Sequence, residues 1–158
     1  MKLIHHFPEE NLHIDYLMNP IPALTVLGMA LNDHWWKWSY SSWLTGKISD
    51  FLGVFYFPIF VSAVICLVRN YVLNQRNRKL AYISPTLMVL AMSFTVALML
   101  TVKLSPSSAL SIQTWFSAYL FKIKIVADPT DLLSLISLPL SYWYAKQFFA
   151  HDPKRAGR

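Results

Sequence analysis

Gly46-Lys47-Ile48-Ser49-Asp50-Phe51-Leu52-Gly53 opens the most hydrophobic run in the first half of the chain, and its reading decides the fold. From Phe51 onward no charge appears until Arg69. An uncharged stretch of that length matches one helical crossing of a hydrocarbon core, which takes about 20 apolar residues. Lys47 and Asp50 then stand at the membrane edge, where ionisable groups are costly and count as functional candidates.

The stretch has a later counterpart. An offset of 81 lays Ser49-Asp50-Phe51-Leu52 on Thr130-Asp131-Leu132-Leu133, Pro58 on Pro139 and Lys47 on Asp128. An offset of 70 lays Thr25-Val26-Leu27-Gly28-Met29 on Thr95-Val96-Ala97-Leu98-Met99 and Asp33 on Lys103. The chain therefore reads as an internal duplication.

Composition supports the membrane class. Of 158 residues, 55% are apolar and 14% charged, against roughly a quarter charged in soluble domains. Four spans nearly exhaust this length, leaving no room for a soluble domain. The net charge of +6 is carried by short segments flanking apolar runs, where bases set topology and meet anionic lipid, so nucleic acid is not expected as a partner. Cys66, the single cysteine, sits inside an apolar run and offers neither an intrachain disulfide nor a metal motif.

The expected architecture is all-α and integral to the membrane, a single domain of four transmembrane helices arranged as two parallel-oriented hairpins. Residues 1–19 have no continuous apolar core and no cleavage site, so they read as a cytoplasmic segment and not as a secretory signal. Leu12, Ile14, Tyr16 and Leu17 suggest a short interfacial piece before the first span. Spans are expected over about 20–38, 50–68, 80–102 and 129–150. Pro20 and Pro22 suit a helix's first turn, while Trp35, Trp36, Trp38, Tyr40 and Trp43 read as an aromatic belt. The loop 69–79 is basic, as is the tail 151–158, which places both termini in the cytoplasm. The connection 104–128 contains 112–121 (IQTWFSAYLF), with the aromatic content of a helix lying along the outer interface.

This topology gathers Asp33, His34, Lys47, Asp50, Lys103, Asp128 and Asp131 at the extracytoplasmic face. Two parallel hairpins are related by a pseudo-two-fold axis along the membrane normal. Asp50 and Asp131 become symmetry mates. Asp33 faces Lys103, and Lys47 faces Asp128, as candidate ion pairs across that axis. Two close carboxylates resist ionising together, so the Asp50–Asp131 pair is a candidate proton or cation site.

Several of these residues also have structural readings. Asp128-Pro129-Thr130-Asp131 is a helix-start signature of cap, proline at N1 and acid at N3. Thr45 or Ser49 can cap the second span and place Asp50 in its first turn. Asn32 and Asp33 can simply end the first span, His34 can rest at the interface, and Lys47 and Lys103 can snorkel to water or lipid phosphate. Pro58 and Pro139 are expected to kink the second and fourth spans. Serines and threonines along the spans read mainly as packing donors.

Glycine-rich phosphate loops, paired-histidine zinc motifs and nucleophile elbows are all missing from the sequence. Carboxylates with His34 would suit a divalent cation, but Lys47 and Lys103 in the same place oppose it, so no metal and no cofactor are expected. Three function classes follow for a small polytopic inner- or plasma-membrane protein. It handles a proton or cation at Asp50 and Asp131; or it is a membrane-embedded enzyme acting on a lipid head group or envelope precursor, with Asp50, Asp131, Lys47 and Lys103 as catalytic candidates; or it is a non-catalytic subunit that binds a membrane-protein partner.

Overall fold

The computed structural model describes residues 16–36, 39, 43–74, 83–119 and 125–149. The expected roles of 1–15, of Trp38 and Tyr40, of Arg76, Arg78 and Lys79, and of the tail lie outside the described residues. Among the described residues all regular structure is helical. Two stretches are long and apolar enough to cross a membrane, Thr45–Arg69 and Pro85–Leu104.

Helix α1, Pro20–Leu31, starts where the Asn19 side chain accepts a hydrogen bond from the Ile21 amide at 3.3 Å, with proline in the first turn. It runs on into a π-helical turn, Asn32–Trp36. Helix α2, Trp43–Asn74, is 32 residues long, roughly 48 Å at 1.5 Å per residue. It begins well before the expected start at residue 50. Thr45 and Ser49 therefore sit inside the helix and do not cap it, and Lys47 and Asp50 are carried on a regular turn. Gly28 lets α1 lie close on α2, because a Cβ there would stand 3.3 Å from Leu52 Cδ1.

Helix α3, Pro85–Leu104, is capped by Ser84, whose Oγ accepts from the Leu87 amide at 3.1 Å. Its start is later than expected because Ser84-Pro85 is a strong helix-initiating pair. Helix α4, Pro106–Tyr119, packs on α3 and leaves Leu110, Trp115 and Tyr119 exposed. It covers most of the expected interfacial segment and starts earlier. A 3₁₀ helix, Pro129–Ser137, then leads into α5, Leu138–Lys146.

The proposed halves are built differently. Pro58 lies inside α2, whereas Pro139 sits in the first turn of α5, where a missing N–H costs nothing. Ahead of Pro139 the chain is 3₁₀, and ahead of Pro58 it is α. The structure gives the duplication no support. Near Pro58, which frees carbonyls of the preceding turn, the Phe55 carbonyl accepts a hydrogen bond from Ser141 Oγ at 2.8 Å.

One end of the molecule is closed by Tyr16, Ile59, Ala63, Cys66, Met88 and Tyr144. Tyr144 Oη donates to the Tyr16 carbonyl at 2.7 Å, and the two rings stack 5.6 Å apart. Tyr16 is fully buried, so it is core and not the interfacial residue expected. Cys66 packs in this core. The other end holds Lys47, Lys103 and Asp131, so α1 and α3 run opposite to α2 and to the 129–146 segment.

Polarity is distributed inside-out. The buried face of 129–146 carries Asp131, Ser134, Ser137 and Ser141, while Leu133, Ile136, Leu140 and Trp143 are exposed. Residues 131, 134 and 137 share a face because a 3₁₀ helix repeats every three residues. On α1 the buried residues are Pro22 and Thr25, and Leu24, Val26 and Leu27 face outward.

Candidate functional site

Asp131 is the centre of the charged end. It is 7% exposed, held on the first turn of the 3₁₀ helix by its amide hydrogen bond to the Asp128 carbonyl at 3.0 Å. Lys47 pairs with its Oδ1, and Lys103 Nζ lies 2.6 Å from its Oδ2. Both carboxylate oxygens are thus occupied by ammonium groups from different helices. A carboxylate buried to this degree needs such pairing, because burying an unpaired charge costs several kcal/mol.

Each lysine has a second carboxylate. Lys47, 5% exposed, reaches Asp128 Oδ2 at 3.2 Å and also donates to Thr130 Oγ1. Lys103 lies 3.6 Å from Asp50 Oδ1 and donates to the Val126 carbonyl at 3.4 Å. The network therefore runs Asp128, Lys47, Asp131, Lys103, Asp50, tying α2, α3 and the 3₁₀ helix together. Of the ion pairs expected from the sequence, Lys47 with Asp128 is present. Lys103 pairs with Asp50 and Asp131 and not with Asp33, because α3 brings its last turn against Asp131. Asp50 and Asp131 both converge on Lys103, yet their settings differ: Asp131 is closed in, and the Asp50 side chain is 26% exposed.

Asp128 is the N-cap of the 3₁₀ helix, as its sequence context indicates. Its Oδ1 accepts from the Thr130 amide at 2.9 Å and from Thr130 Oγ1 at 2.8 Å. The Thr130 hydroxyl, then its amide, and then the Lys47 ammonium hold the Asp128 carboxyl below its ordinary range.

Asp33 stands on the π-helical turn, exposed, and accepts from Ser49 Oγ at 2.7 Å. His34 is exposed too, and its Nδ1 lies 3.1 Å from the Ala30 carbonyl of its own helix. The fold does not bring His34 into the network.

Sequence reading gave Asn32 too little weight. It is fully buried and locks α1 to α2, its Nδ2 donating to the Thr45 carbonyl at 2.7 Å and to Ser49 Oγ at 2.6 Å. Its Oδ1 is buried with no hydrogen-bond partner. The signal available was an amide following an apolar helix. Thr130 was likewise read only as the counterpart of Ser49.

Beside the network, between α1 and α3 and floored by α2, lies a cleft of about 380 Å³. Asp33, Ser49, Asp50 and Thr95 are its polar lining, and the rest of its walls are apolar. Lys47 and Lys103 do not line it. Among the described residues, Asp50 is therefore the network carboxylate that also lines this cleft.

Set against known proteins, the chain matches no family model, no curated protein and no solved structure.

Proposed function

We propose that this is a small multi-pass membrane protein that handles a proton or cation at its extracytoplasmic face, with Asp50 as the exchanging carboxylate and Asp131 as the fixed counter-charge to Lys47 and Lys103. The bilayer reading rests on the inside-out helices, whose exposed Leu, Val, Ile and Trp side chains need hydrocarbon as solvent. Besides α2 and α3, two further segments suffice for crossings. The 3₁₀ helix and α5, nine residues each, together rise about 31 Å, since a 3₁₀ turn advances 2.0 Å per residue. Helix α1 with its π turn is near the lower limit of about 17 residues. The basic segments flanking the spans orient both termini to the cytoplasm.

The single observation behind the functional reading is the position of Asp50, which shares Lys103 with the enclosed Asp131 and borders the cleft on its other side. A proton or cation arriving at Asp50 competes with Lys103 for it, and Lys103 has Asp131 to fall back on. An anionic phosphate head group fits this cleft poorly, because among the described residues no lysine lines it.

The test is proton and cation flux in proteoliposomes, comparing the native chain with Asp50→Asn and Asp131→Asn after each is shown to be folded. Saturable flux that is lost in Asp50→Asn is the expected result. Native flux no greater than that of empty liposomes would refute the proposal.

A further inference from the structure

The chemistry of the cleft specifies more than an inorganic ion. Among the described residues the ionisable groups that line the cleft, Asp33 and Asp50, are both acidic. In the adjoining network, among the described residues, three carboxylates face two ammonium groups, so their summed charge is negative. The walls, by contrast, are apolar, formed by Met29, Phe57, Leu98 and Met99 among others. A hydrated metal ion gains nothing from such walls, and among the described residues no three His, Cys, Asp or Glu side chains converge to chelate one. A volume of about 380 Å³ is in the range of small-molecule sites.

We propose that the cleft binds an amphiphilic organic monocation arriving from the bilayer, with its charged head at Asp50 and its apolar body against Met29, Phe57, Leu98 and Met99. This deepens the cation-handling reading by naming a substrate class, and its transport significance rests on that reading. The binding itself is measurable without a gradient. Gly53 is the residue that keeps the floor of the cleft open. A Cβ built there would meet only Met29 Cε, at 3.8 Å, so a side chain can start at this position in the cleft lining, to which Lys47, Lys103 and Asp131 do not contribute.

The experiment is equilibrium binding to the full chain in lipid nanodiscs, using tetraphenylphosphonium and its anionic counterpart of near-identical shape, tetraphenylborate. Saturable binding of the cation alone is expected. Asp50→Asn should weaken it about tenfold, as for loss of a charge pair at a partly buried site. Gly53→Leu, once shown to unfold like the native chain, should abolish it, which keeps the test decisive if Asp50→Asn does not fold. Equal binding of cation and anion would mean an acyl-chain cleft indifferent to charge and would overturn the inference. So would native-like cation binding in Gly53→Leu. Binding without flux would uphold this site and remove its transport role, whereas flux without binding would do the reverse.

Discussion

Asp131 sits in a nearly closed setting where two ammonium groups reach it from two helices. Removing its charge leaves Lys47 and Lys103 crowded and under-compensated, and breaking a buried pair in this way costs about 3–5 kcal/mol. Asp131→Asn is therefore expected to lower the unfolding free energy in mixed micelles by that amount. Lys47→Met combined with Asp131→Leu should cost less than the sum of the two single changes, since both charges of a pair leave together. Strict additivity would show that the two residues are not coupled. Asp128 makes a different prediction, about pH. Its folded carboxyl titrates below the ordinary value of 3.8, so its stabilisation is complete above that value and is lost only as pH falls through the lower folded one. The stability gap between the native chain and Asp128→Asn should be constant near neutrality and close in strong acid. A gap that closes on the alkaline side would contradict this assignment.

Among the elements, the 3₁₀ helix is the least ordinary, because runs beyond three or four residues are uncommon. Its hydroxyls help to hold it: Ser134 Oγ donates to the Asp131 carbonyl at 2.6 Å and Ser137 Oγ to the Ser134 carbonyl at 2.8 Å. Ser134→Leu would bring a bulky group onto the buried face. It should destabilise the fold by about 1–3 kcal/mol, as overpacking does, whereas Leu133→Ile, on the exposed face, should be close to neutral by the same unfolding measurement. Much of this element was legible in advance. Asp128-Pro129-Thr130-Asp131 announced its cap, its first proline and its acid, and local hydrogen bonds decide such features. Its 3₁₀ character was not legible, because period-three burial of 131, 134 and 137 depends on which side α2 and α3 occupy. For the same reason the early start of α2 was missed: Asn32 on another helix donates to the Thr45 carbonyl and Ser49 Oγ, and no local signal in 43–50 reports it. Apolar runs located the helices, and cross-chain polar contacts set their ends and the partners of Lys103.

At the scale of the molecule, hydroxyls are turned inward on α1 and on 129–146 and many large apolar side chains outward, with a tyrosine-lined core towards one end and the lysine–aspartate network at the other. That arrangement is stable where the surroundings are hydrocarbon, and the charged end must then meet water on a single side of the bilayer. Cys66 is fully buried, so the native chain gives no background in thiol labelling. Single cysteines at Val126, exposed beside the network, and at Lys146, exposed at the opposite end, report the two faces. The decisive measurement is labelling of these variants by a membrane-impermeant maleimide in sealed right-side-out vesicles. Val126→Cys is expected to react at once and Lys146→Cys only after permeabilisation. Reaction of both from the same side, or of Lys146→Cys alone, would contradict it.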